Sequence, residues 1–111
     1  MSELGQEMLD FAKLLFPICR SITGNGVRHT LKNIKEKIPE LVIYEVPSGT
    51  SAFDWRVPRE WNITDAYIID SNGRKIGDFK VNNLHVVGYS LPIDQEITLE
   101  ELQGHLFSLP D

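Results

Sequence analysis

The sequence contains one cysteine, Cys19, so no disulfide can close within the chain. No stretch approaches the roughly 20 apolar residues that a membrane-spanning helix needs. The opening, MSELGQEMLDF, lacks the positive stretch and apolar run of a secretory signal. These features lead us to expect a soluble, cytoplasmic protein with no membrane partner. Positive charge is in the minority: 11 Lys and Arg stand against 16 Asp and Glu, a net charge of -5. Phosphate backbones repel such a chain, and nucleic acid is not an expected partner. Metal signatures are missing too. His29, His85 and His105 lie far apart, and there is no HExxH or CxxC. No metal or other cofactor is expected on this chain.

What is present suits one small domain of 111 residues, 41% of them hydrophobic. Charge is unevenly spread: residues 1–19 sum to -2, 20–37 to +4 and 38–111 to -7. The basic block reads as a solvated helix face, with an acidic partner surface as the alternative. Leu4, Met8, Phe11 and Leu15 recur at helical spacing, which predicts a helix over 3–16 with Ser2 as its cap and Pro17 as its stop. Val27, Leu31, Ile34 and Ile38 predict a second over 26–38, stopped by Pro39. Two such apolar stripes need each other or a sheet to cover them.

Strands are expected beyond. LVIYEV (41–46) is apolar at almost every position, as a strand covered on both faces would be. A turn at Pro47-Ser48-Gly49 and a short extended segment at 53–57 follow. AYIID (66–70), Asn72-Gly73 and RKIGDF (74–79) read as a hairpin. A turn at Asn82-Asn83 and a third strand, LHVVGYS (84–90), would extend it into a meander. Thr98 and Glu101 match a capping box for a short terminal helix. The expected class is α+β: two N-terminal helices, a mainly antiparallel strand-rich region and a short C-terminal helix.

Candidate functional residues are few. A nucleophilic Cys19 would need a base and an oxyanion site; small buried filler is the simpler reading. Asp54, Asp65, Asp70 and Asp78 could serve as paired acids, but Asp70 precedes a turn and can cap backbone donors. Trp55 and Trp61 bracket a polar stretch, a pattern that fits core packing, an interface or a pocket wall. Ser21, Thr23 and Asn25 lie in SITGNG, a turn before a helix that could contact a substrate or another domain. We single out Arg20, Asp54, Trp55 and His85 as support or domain-contact residues and assign no catalytic residue.

Three separated segments, FPICRSITGNGVRHTL (16–31), EVPSGTSAFDWRVPREWNITDAYI (45–68) and NNLHVVGYSLPI (82–93), resemble the start of a bacterial family of aminopeptidase-like proteins. That family is similar to the dizinc aminopeptidases and carries a small inserted domain of unknown function. The resemblance implies that residues 1–56 hold the first helices and first strand of the peptidase core, and that 57–111 are part of the inserted domain. It implies zinc in the parent protein, with its ligands outside these residues. The chain is then a non-catalytic N-terminal fragment of a zinc-dependent hydrolase acting on a peptide or amide-like bond. Its partners would be the remainder of the peptidase chain, or a second copy by self-association. The alternative is a protein-binding or structural module without enzymatic activity.

Overall fold

The computed structural model describes residues 2–109. Helix α1 spans Glu3–Leu15, and the Ser2 hydroxyl accepts from the Gly5 amide at 3.1 Å, supplying one of the orphan donors of the first turn with a partner. Helix α2 spans Asn25–Lys37 and starts from Gly24 at φ 90°, with Lys35 and Lys37 in its last turn, where the helix dipole favours positive charge. Ser51–Ala52 (β1) and Trp55–Arg56 (β2) form one antiparallel pair, and Ile68–Ile69 (β3) and Lys75–Ile76 (β4) another. Helix α3, Leu99–Gln103, closes the series. Its capping box is complete: the Glu101 amide donates to the Thr98 hydroxyl at 3.2 Å, and the Thr98 amide donates to the Glu101 carboxylate at 2.7 Å. The architecture is α+β, with helices at both ends and antiparallel pairs between them.

The second pair is a hairpin organised by Asp70. Its carboxylate accepts from the Asn72 and Arg74 amides, both at 2.9 Å, while its carbonyl accepts from the Gly73 amide at 2.9 Å. With Gly73 at φ 78°, this is a turn followed by a left-handed residue, wider than the two-residue loop that Asn72-Gly73 suggests. Asp70 is occupied with backbone donors and is not a free acid.

Two expected strands do not form. Residues 41–46 have no regular structure, because no described strand lies beside them to complete a ladder. Residues 84–90 are not the third strand of a meander. The Asn82 side chain accepts from the Leu84 amide at 2.9 Å and starts a 3-10 turn, Asn83–His85, and Tyr89 then sits at φ 65°. That local bond competes with extension, as short polar side chains do. The segment 53–57 supplies β2, the returning arm of a hairpin whose tip is Phe53-Asp54.

Among the described residues no hydrophobic side chain is buried. Among the described residues the one buried side chain is that of Thr30, whose hydroxyl donates to the Gly26 carbonyl inside α2. Neither long helix packs broadly on another element. The accessible surface is 9982 Å². A compact protein of this mass exposes about 6,200 Å². The radius of gyration, 18.6 Å, also exceeds the ~13 Å of a compact chain of this length. Leu4 and Met8 of α1 stay exposed and Val27, Leu31 and Ile34 of α2 are only half-buried, so neither stripe is fully covered and little apolar burial opposes chain entropy.

Two outcomes follow from this architecture. The 111-residue chain by itself should melt in a broad, weakly cooperative transition by near-ultraviolet circular dichroism; a sharp two-state transition with the denaturant sensitivity normal for its length would contradict the coreless fold. Gly73→Ala should destabilise the β3–β4 hairpin by about 1–2 kcal/mol through backbone strain alone, since an added Cβ meets nothing within 4 Å. Gly73→Asn should lose less, and cross-strand nuclear Overhauser contacts between Ile68 and Ile76 would report both.

Candidate functional site

The helical and strand-rich parts meet chiefly at the loop 21–26, with a further hydrogen bond from the Asn83 side chain to the Phe16 carbonyl at 2.8 Å. Ser21 folds the loop on itself: its hydroxyl donates to the Thr23 carbonyl at 2.8 Å and accepts from the Thr23 amide at 3.3 Å. This turn aims the Thr23 hydroxyl outward, where it accepts from the Trp61 amide at 3.2 Å and shares a 2.5 Å hydrogen bond with the Tyr89 hydroxyl. The Asn25 amide, an orphan donor at the start of α2, donates to Asn62 Oδ1 at 2.7 Å. The Trp61 indole stacks on Tyr89 with ring centroids 6.1 Å apart and donates to the Ser90 carbonyl at 2.9 Å. A side chain reached from 61–62 thus caps α2, and a side chain from the loop caps 61–62 in return.

Two glycines permit this approach. A Cβ on Gly24 would stand 2.4 Å from the Trp61 carbonyl oxygen, and one on Gly26 would stand 1.9 Å from that of Cys19. Both distances are impossible for a side-chain carbon without backbone movement, so these positions require glycine for space.

Arg28, one turn into α2, ties the joint electrostatically. Its guanidinium forks onto both carboxylate oxygens of Glu60, and its Nε lies 3.7 Å from Glu45. The hydrogen bond and charge of Arg28 hold the Glu60 carboxyl below its ordinary range, and Glu60 in turn raises Arg28. A second pair, Lys80 with Asp65 at 2.8 Å, lowers Asp65 in the same way.

The residues singled out by sequence are dispersed. Arg20 Nη1 donates to the Leu15 carbonyl at 2.8 Å and the Ile18 carbonyl at 3.3 Å, closing the C-terminal end of α1. Asp54 stands at the β1–β2 tip, and no Arg20–Asp54 ion pair exists among the described residues. Trp55 is half exposed in β2. His85 Nδ1 lies 2.9 Å from the Asp78 carbonyl, across the turn that precedes it. Ser21, Thr23 and Asn25 are brought together, by the loop itself. Trp61, weighed above with Trp55 as a core, interface or pocket residue, completes the joint with Asn62, Tyr89 and the Arg28–Glu60 pair, which were not singled out. The basic block of α2 and the Trp55/Trp61 stretch were the signals in the sequence that lay nearest to them.

A cleft of about 290 Å³ opens at the joint, lined by Cys19, Thr23, Gly26, Trp61, Ile63 and Phe79 among others. Its lining carries a thiol, hydroxyls and amides, but no carboxylate or imidazole. Nothing in it can take a proton from Cys19. Among the described residues no group of three His, Cys, Asp or Glu side chains is placed to hold a metal ion. No described helix is long and apolar enough to cross a membrane.

Thr23→Val should loosen the joint by about 1 kcal/mol for each hydrogen bond lost, seen as a weakened near-ultraviolet signal from Trp61 and Tyr89. Gly26→Ala should do more, because the backbone itself must separate. Because Glu60 is held low, its contact with Arg28 contributes at and above the ordinary glutamate range and is lost as the pH falls through the lowered value. Glu60→Gln should remove that acid dependence from the same signal.

Residues 60–111 match the family model described as a domain of unknown function, DUF2172. Over 109 residues the chain is 56% identical to a Clostridium acetobutylicum protein named "Putative polysaccharide biosynthesis protein with aminopeptidase-like domain". That match takes in 98% of this chain and 25% of that protein. The crystal structure of a "putative peptidase" from the same organism superposes with a TM-score of 0.88 at 56% identity, over 97% of this chain and 25% of the other. The chain spans about a quarter of the length of the relatives it matches. By sequence and by backbone, it is a close match to the N-terminal, aminopeptidase-like part of a longer protein, with a DUF2172 region set into it.

Proposed function

We propose that this chain is the non-catalytic N-terminal part of a zinc-dependent aminopeptidase-like hydrolase that acts on a peptide or amide-like bond in the cytoplasm. The observation that carries the reading is the 56% identity, held over nearly the whole chain, to one quarter of a protein with an aminopeptidase-like domain. The described residues do not fit a zinc ion, so its ligands and the acid–base groups belong to the rest of such a protein. We divide the chain near residue 56, with the two helices and the β1–β2 pair on the peptidase side and the β3–β4 hairpin, from 57 onward, in the inserted domain. Arg20, Asp54, Trp55 and His85 act in support and domain contact. Arg20 does so by closing α1.

A second reading, a protein-binding module with no enzymatic role, is favoured by the β1–β2 tip. Phe53 is fully exposed there, at φ 56°, a conformation that costs a bulky side chain energy and that glycine would take more easily.

The test is zinc content and hydrolysis of aminoacyl anilides, measured on the complete natural polypeptide and on its Asp54→Asn and His85→Gln variants. We expect tightly held zinc and turnover in the complete polypeptide. The variants should keep near-normal zinc and turnover per folded molecule, with altered solubility or assembly. No zinc and no hydrolysis in the properly metallated polypeptide would favour the binding module. A variant that keeps fold, assembly and substrate affinity but loses most turnover would move that residue into catalysis.

A further inference from the structure

We propose that the protein pairs with a second copy of itself through the β1–β2 tip: Phe53 of one protomer seats in the cleft walled by Phe16 and Leu84 of its partner, and Asp54 meets the partner's Arg20. The inference rests on the domain-contact reading of Arg20, Asp54 and Trp55 and gives it a partner. It does not depend on the protein's being a hydrolase.

The tip has the form of a knob. Ala52 pairs with Trp55, which leaves a two-residue loop, Phe53-Asp54. A positive φ at the first position of such a loop is ordinarily given to glycine. Here it belongs to phenylalanine, at φ 56°, with the side chain fully exposed. Neither the backbone nor the solvent favours a large ring at this position. Strain of this kind is retained where a side chain is needed at a contact. Trp55, half exposed in the strand that returns from the tip, adds apolar surface beside it.

The same chain carries a hollow that fits. A second cleft, of about 270 Å³, is walled by Phe16, Ile18, Trp61, Leu84 and Val86, and Arg20 is also in its lining. Phe16 and Leu84 are exposed, so the apolar wall faces water. A cavity of about 150 Å³ takes a benzene ring, so the cleft has room for one phenylalanine side chain. Neither Phe53 nor Asp54 lines it, so the tip does not fill the cleft of its own chain.

Charge selects the second copy as the occupant. The knob carries an acid, Asp54, and the hollow carries a base, Arg20. Among the described residues neither has an ion-pair partner. Arg20 commits Nη1 to the Leu15 and Ile18 carbonyls, which leaves Nε and Nη2 to fork onto a carboxylate. The rest of a longer chain would have to supply a hollow for Phe53 and an acid for Arg20, whereas a second copy already carries both. A two-fold axis makes each contact twice and closes the pair. Two buried rings and the walls they cover come to roughly 600–1,000 Å² in all. That is the small end for a specific interface, so the pair is a weak one.

Sedimentation of the complete natural polypeptide over a range of concentrations tests this. We expect a dimer with a dissociation constant of about 1–100 μM, weaker at higher salt. Phe53→Gly relieves the turn and removes the ring, and should weaken the dimer at least about tenfold. Arg20→Glu and Asp54→Lys should each be monomeric alone, because either homodimer sets like charges together twice. Mixed in equal amounts, the two folded variants should dimerise to within about threefold of the unmodified protein, since the mixed pair has an acid facing a base on both sides. Neither a folding defect nor a contact within one chain produces recovery on mixing. An unmodified protein that stays monomeric at about ten times the expected range overturns the proposal. So does a dimer that Phe53→Gly leaves intact, or a mixture of folded variants that stays monomeric. Zinc and turnover measured on the same samples keep the readings apart. Lack of turnover counts against the hydrolase alone, and lack of pairing against this inference alone.

Discussion

The Thr23 hydroxyl is the pivot on which the arrangement of this chain depends. It accepts from the Trp61 backbone and meets the Tyr89 hydroxyl, so one side chain fixes two distant parts of the sequence against the start of α2. The Asn25–Asn62 bond and the Arg28–Glu60 fork surround it, and the two glycines make room for it. In most domains of this size a buried apolar core sets the relative placement of helices and sheets. Here that placement is set by polar bonds at a partly open joint. Each is worth about a kilocalorie per mole in water, and their geometric specificity exceeds their energy.

That division of labour makes sense if the joint orients and something else stabilises. Polar contacts with defined directions fix an angle well, but they do not offset the conformational entropy of a hundred residues. Apolar burial does, and Leu4, Met8, Leu9 and Leu14 of α1 and Val42, Tyr44 and Val46 are exposed and available for it. The match to one quarter of a longer protein is consistent with a segment whose own contacts set shape and whose stability is shared.

Local structure was largely legible in the sequence, and the reasons are local. Ser2, Pro17, Thr98 and Glu101 mark helix ends by chemistry that acts within one turn, and the structure uses each as read. The Asp70 turn sits where Asn72-Gly73 suggested, one step wider because the aspartate side chain draws in two more amides. The strands at 41–46 and 84–90 failed for different reasons. The first has the right composition but no neighbour, and a ladder is a property of two segments. The second is undone by Asn82, whose side chain diverts the backbone into a 3-10 turn before the β-branched residues begin. The joint was legible only in part. SITGNG stood out as a turn that could touch another region, but nothing in a linear sequence says that Thr23 faces Tyr89 or that Arg28 meets Glu60 across more than thirty residues.

The spacing of the joint also carries a consequence for biosynthesis. Thr23 and Tyr89 are 66 residues apart, and Asn83 reaches the Phe16 carbonyl across 67. Helices form within microseconds of emerging, whereas contacts so far apart must wait for the intervening chain and for its closure entropy to be met. At ribosomal rates of about 5–20 residues per second, α1 and α2 are out for several seconds before Tyr89 arrives. Through that interval the apolar side chains of α1 and of the run 41–46 are in water together. The order of synthesis therefore makes the joint one of the last features of this region to close.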